Sequence, residues 1–174
     1  MNGEDWIQPA LNDLDNESLR RDLKTYSRAG GKISLGQRTV LNFSSNDYLD
    51  FARHPGITEA SKQALDFYGT GAGASRLVSG SLPLHDELEQ RIAEHKGYEA
   101  ALFFGCGFLA NMGVIPALVG RSDTVFADSL VHASIIDAVI LSRARLVRFR
   151  HNDSGHLQEL LSQRNSSGRC LIVT

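Results

Sequence analysis

The residues best suited to chemistry are a glycine turn, Gly105-Cys106-Gly107-Phe108, and a histidine further along, His132. The turn lies between an apolar run, Ala100-Ala101-Leu102-Phe103-Phe104, and a helical pattern. The first N–H groups of a helix have no partner within it, and the helix dipole favours negative charge there. A turn of this kind holds an anion. It is not a nucleotide P-loop, because no Gly-Lys-Ser/Thr follows. Glycine turns also arise for packing alone, so both readings stand here. His132 follows a second apolar run, Thr124-Val125-Phe126-Ala127. It reads either as a satisfied structural histidine or as an imidazole beside the cradle. In a parallel sheet both turns open on the carboxyl edge, where α/β proteins bind ligands.

Other chemistries fit less well. Cys106 paired with His132 would make a thiol nucleophile, but no third residue orients the imidazole. A small buried thiol packed under the turn is the simpler expectation. His151 and His156 flank a turn without cysteine partners, which argues against zinc. Asp153 or Ser154 reads as a helix cap there. Gly69-Thr70-Gly71-Ala72-Gly73-Ala74 superficially matches a dinucleotide fingerprint. It follows a helix rather than a strand, so it reads as a close-packing loop.

These groups must be positioned by ordinary globular elements. The chain has 174 residues, 42% hydrophobic and 22% charged, with a net charge of -2. Nothing in that balance points to nucleic acid or an anionic membrane. Residues 1–22 hold six acids and two arginines, while 143–169 hold six arginines and two acids. Solvated faces explain that asymmetry most simply. Two cysteines make no disulfide framework, and no basic, apolar leader opens the chain. The expectation is a cytoplasmic protein with no membrane span.

A polar helix is expected over 5–28, ended by Gly30-Gly31. A small hairpin follows, with strands at 33–35 and 39–43 about Gly36-Gln37. Helices are expected at 57–68 and from Pro83 to Gly97. From residue 100 strands alternate with helices: strands at 100–104, 124–127, 146–149 and 170–174, helices at 108–119, 132–142 and 155–163. Pro116 should kink the first of these helices. Four strands separated by three helices predict a parallel sheet with right-handed crossovers. The chain stops at Thr174 on an apolar run and reads as the N-terminal part of a longer protein.

In order and spacing, a series of motifs resembles the α-oxoamine synthases, pyridoxal phosphate enzymes of the fold-type I aminotransferase architecture. They are Asn42-Phe43-Ser44-Ser45-Asn46-Asp47-Tyr48-Leu49, Gly69-Thr70-Gly71, Ser79-Gly80 with His85-Asp86-Glu87-Leu88-Glu89, Gly107-Phe108-Leu109-Ala110-Asn111, and His132-Ala133-Ser134. The first string and His151-Asn152-Asp153 most resemble the biotin-pathway branch, which condenses L-alanine with a pimeloyl thioester. Asp50 departs from the family, which usually has glycine after Tyr-Leu.

The resemblance implies an N-terminal helix and hairpin segment over 1–45. It implies the first part of a large cofactor-binding α/β domain over 46–174. Gly107 and Phe108 would hold the cofactor phosphate through their backbone. His132 would stack on the pyridine ring and face the substrate. Arg21 and Asn46 would lie near the acyl substrate. Pimeloyl-CoA or a pimeloyl carrier protein is the implied donor, and a homodimer the implied assembly. A sister enzyme using glycine or serine with another acyl-CoA, and a non-catalytic chain keeping the fold, are the alternatives. The family's covalent lysine, its aspartate for the ring nitrogen, and a later histidine and Ser/Thr phosphate ligand fall beyond residue 174. Lys24, Lys32, Lys62 and Lys96 match none of them, so this chain alone is expected to be inactive.

Overall fold

A computed structural model describes residues 6–29, 31–165 and 167–174. The chain divides into two units, Met1–Ala72 and Gly73–Thr174.

The first unit opens with α1, Ile7–Asn16. The helix predicted over 5–28 ends here for a local reason. Ser18 turns left-handed (φ 56°), and the Leu19 N–H folds back onto the Leu14 carbonyl at 2.8 Å. That closes the helix in a Schellman-type turn. Leu19 and Leu23, which fall within the predicted helix, are exposed at 59% and 104%. The chain then runs without helix into β1, Ser27–Ala29. β2, Lys32–Leu35, and β3, Arg38–Leu41, form the expected hairpin about Gly36. β1 adds an antiparallel third strand on the β2 side. A 3-10 turn, Phe51–Arg53, leads into α2, Pro55–Tyr68, which takes Pro55 into its first turn. Asp50 lies in the left-handed region, φ 55° and ψ 31°. A glycine fits that conformation without strain, and aspartate is among the few other residues that tolerate it.

The second unit opens with a loop and α3, Pro83–Lys96, ended by Gly97 at φ 71°. α4, Gly107–Leu118, follows the glycine turn and carries Pro116 near its end. Then come β4, Thr124–Asp128; α5, Ala133–Ser142; β5, Arg145–Phe149; α6, Ser154–Ser162; and β6, Cys170–Val173. The sheet is parallel, in the order β5-β4-β6. It therefore has three strands and not four. The predicted strand at 100–104 pairs with no other strand among the described residues. Its backbone is bonded to side chains instead. Phe103 donates its N–H to Glu89 Oε1 at 2.7 Å, and Arg76 Nη1 reaches the Phe103 carbonyl.

β4 is the centre of the sheet and is buried along its whole length. Such a strand reads as a continuous apolar run, as Val125-Phe126-Ala127 does. The pleat sends Val125 to one face, level with Leu146 and Leu171. Ile115, Val119, Ala138 and Val139 of the α4–α5 layer close over that face. Phe126 and Val147 face the other way, where Leu160 of α6 lines the same recess. From β5 the chain crosses β4 to reach β6, so the connection reverses direction beside β4. Reversals of this kind open a crevice at the carboxyl ends of the strands.

Candidate functional site

The glycine turn becomes the start of α4. Cys106 is the N-cap in extended conformation, and its thiol makes no capping bond. Ala110 donates its N–H to the Cys106 carbonyl at 3.1 Å. The N–H groups of Gly107, Phe108 and Leu109 meet no acceptor among the described residues. Three free donors at a helix start form an anion cradle. A Cβ built on Gly107 would meet nothing within 4 Å, and the residue has no positive φ. Neither backbone conformation nor crowding within the chain accounts for glycine there. The space beside the backbone there is open. The residues present therefore fit a phosphate group.

Cys106 does not pack under the turn; its thiol is free and exposed. Nor does it engage His132, whose Nδ1 is taken by Ser134. The nucleophile reading loses its base.

His132 is the N-cap of α5. Its Nδ1 accepts the Ser134 N–H at 3.2 Å and lies 2.7 Å from Ser134 Oγ. Asn111, one turn into α4, donates Nδ2–H to the same Oγ at 2.9 Å. The structure thus brings the cradle helix and the imidazole of the second unit together through a buried serine, 1% exposed. Both residues stand inside motifs visible in the sequence, but their bond spans 23 positions, which no local pattern reports.

Asp128, at the end of β4, escaped the sequence reading. Its carboxylate accepts the N–H of Leu130 at 2.7 Å and of Asn152 at 2.9 Å, and meets His151 Nδ1 at 3.0 Å. It ties the loop before His132 to the turn after β5. The two backbone donors, then His151, hold its pKa down to about 2. His156 Nδ1 accepts the Arg150 N–H instead, and Asp153 caps α6 through the His156 N–H at 2.8 Å. Among the described residues no three His, Cys, Asp or Glu side chains gather as metal ligands.

Glu89 plays the matching part on the approach to the cradle. It grips Arg76 at 2.6 and 3.1 Å and accepts the Phe103 N–H. Arg76, then the Phe103 amide, lowers its pKa to about 2. Both carboxylates sit below the ordinary value of about 4. Depressed folded-state values mean that their stabilisation is complete above roughly pH 5 and drains away as pH falls toward 2. The thermal midpoint is therefore expected to be flat from about pH 5 to 7 and to drop below about pH 4. Glu89→Gln or Asp128→Asn should lower the plateau and flatten the acid limb. An acid limb unchanged in both variants would contradict these assignments.

Asn46 and Arg21 belong to the first unit, and both are exposed. Asn46 stands beside an open recess of about 370 Å³ lined by Asn42, Phe43, Ser45, Asp47 and Tyr48. Arg21 lies in the non-helical stretch after α1, where the sequence reading had placed a helix.

Known proteins resemble this chain in sequence and in fold. An 8-amino-7-oxononanoate synthase from Geobacter sulfurreducens is 50% identical over 169 residues, 97% of this chain and 43% of the relative. A serine palmitoyltransferase from S. paucimobilis, solved with a bound pyridoxal phosphate–myriocin aldimine, superposes with a TM-score of 0.83 at 26% identity. That match covers 97% of this chain and 45% of the other. An 8-amino-7-oxononanoate synthase from Francisella tularensis gives a TM-score of 0.59 at 31% identity, over 71% of this chain and 33% of its own. The chain thus spans under half the length of these relatives. The sequence pattern described as aminotransferase class I and II runs through residues 38–174, taking in the recess, the cradle and His132. By that match the chain belongs to the aminotransferase class I and II family.

Proposed function

We propose that this chain supplies the phosphate cradle and ring-facing imidazole of a pyridoxal phosphate enzyme that condenses L-alanine with a pimeloyl thioester to 8-amino-7-oxononanoate. The observation that carries the reading is the open space at Gly107, at the start of a helix whose first three amides are free and one turn from the residue that leads to His132. The relatives' names supply the product, and the resemblance to the α-oxoamine synthases supplies the substrates. When bound, the cofactor acts as an electron sink for the α-carbon of the amino acid. The Gly107 and Phe108 amides hold its phosphate. His132 would stack on the ring and face the substrate, which would help to orient both. Arg21 and Asn46 meet the acyl substrate. Residues 46–174 form the first part of the cofactor domain, after the segment 1–45. Pimeloyl-CoA or a pimeloyl carrier protein is the donor, and the working assembly is a homodimer in the cytoplasm. Among the described residues no helix is long and apolar enough to cross a membrane.

A second reading is favoured by the 0.83 superposition on a serine palmitoyltransferase: a sister enzyme joining serine or glycine to another acyl-CoA. Competition of alanine, glycine and serine in the protein that contains this chain separates the two. Alanine is expected to be preferred by at least about tenfold in kcat/KM, since a misfit of one small group is worth roughly 1–3 kcal/mol. Preference for serine or glycine would replace the first reading by the second. A third reading, a non-catalytic chain that keeps the fold, predicts no condensation with any of the three.

A further inference from the structure

Ser134 has the geometry of a relay. Its side chain is buried, so its hydroxyl must be satisfied within the protein. Two groups reach it: Asn111 Nδ2 at 2.9 Å and His132 Nδ1 at 2.7 Å. The Ser134 backbone N–H also points at Nδ1, at 3.2 Å. An N–H can only donate, so Nδ1 receives it through a lone pair and carries no proton itself. The hydroxyl proton is then free to point at the same nitrogen. That leaves the oxygen's lone pairs for the Asn111 amide, which is the donor it meets. The chain of bonds runs in one direction, from Asn111 Nδ2–H to Ser134 Oγ and from Ser134 Oγ–H to His132 Nδ1.

We propose that Asn111 and Ser134 are positioning residues that lock His132 as the Nε2–H tautomer and fix its rotation relative to the phosphate cradle. The tautomer of an imidazole is set by what its other nitrogen bonds to. Here that partner is anchored on α4, the helix whose first amides form the cradle. His132 is exposed, and no described residue meets Nε2. The relay therefore leaves one N–H donor facing the open edge. A shift of α4 on binding an anion would reach the ring through two hydrogen bonds. The relay is present whether or not the cofactor reading holds; only its use in catalysis rests on that reading.

Nitrogen-15 NMR of the histidine side chains tests this at about pH 8, above the ordinary histidine range. His132→Gln assigns the ring signals. The expected result is a protonated Nε2 and a hydrogen-bonded, unprotonated Nδ1. Ser134→Ala should move Nδ1 toward the value of an unbonded ring nitrogen. Asn111→Asp should do the same with Ser134 still in place, because a carboxylate takes the hydroxyl proton and turns it away from His132. A purely structural role for Asn111 would not reverse that bond. Half-buried Asn111 provides the test if Ser134→Ala perturbs folding. A protonated Nδ1 in the parent protein, or an unmoved Nδ1 in folded Asn111→Asp, overturns the relay. Pyridoxal phosphate, added to the same samples, should bind about two- to tenfold more weakly to Asn111→Asp, the worth of one hydrogen bond. Equal affinity would overturn the coupling to the cradle. If the relay signals appear as expected but the parent protein binds no pyridoxal phosphate, the cofactor reading fails and the relay stands.

Discussion

Purified as 174 residues and supplied with pyridoxal phosphate, alanine and pimeloyl-CoA, the chain is expected to release no 8-amino-7-oxononanoate above background. Enzymes of ordinary speed turn over about 1 to 1,000 times a second. The expectation here is a rate at least roughly a thousandfold lower, because covalent catalysis by an amine needs a lysine placed at the cofactor. The structure places the four lysines elsewhere. Lys24 lies in the stretch between α1 and β1, Lys32 on β2, Lys62 on α2 and Lys96 at the end of α3. None is on β4, β5 or β6 or in the turns that follow them. Turnover measured by product release against a no-protein control checks this. An ordinary rate from the purified chain would mean that one of these lysines, or another base, has been misjudged.

Gly107→Val is expected to keep the fold and lose the anion. A Cβ added there meets nothing within 4 Å, so the thermal midpoint should stay within about a degree or two of the parent. The added side chain takes up the open space at Gly107, the first of the residues whose free amides begin α4. A hydrogen bond to a charged group is worth about 1.5–3 kcal/mol, so losing one weakens phosphate binding by roughly ten- to a hundredfold. Binding of pyridoxal phosphate followed by absorbance, beside a melting curve of the same sample, separates the two effects. Unchanged affinity with an unchanged melt would remove the cradle from the site.

Much of the second unit is legible in the sequence because its signals are local. Thr124-Val125-Phe126-Ala127 is apolar on both faces, which only a central parallel strand requires, and Asp153 caps the helix that follows it by position alone. The misreadings come where a distant side chain decides. Residues 100–104 have the composition of a strand, but Glu89 and Arg76 take their backbone groups from 14 and 27 positions away. The helix after residue 6 keeps an apolar spacing past residue 16, yet Ser18 turns left-handed and ends it. For the site, the glycine turn and His132 are readable because cradle and imidazole are each made by one short segment. The Asn111–Ser134 bond and the Asp128 knot join segments 23 and 24 residues apart and appear only in three dimensions.

The central claim is that the amides opening α4 hold the phosphate of a cofactor whose ring lies against His132. Titrating the nitrogen-15-labelled chain with pyridoxal phosphate, with inorganic phosphate as a second probe, tests it most directly. Saturating shifts of the Gly107, Phe108 and Leu109 amides are predicted with both probes, and of the His132 ring with pyridoxal phosphate alone. Saturating shifts elsewhere, or none up to about 10 mM, where a bound complex would be worth under roughly 3 kcal/mol, would contradict it.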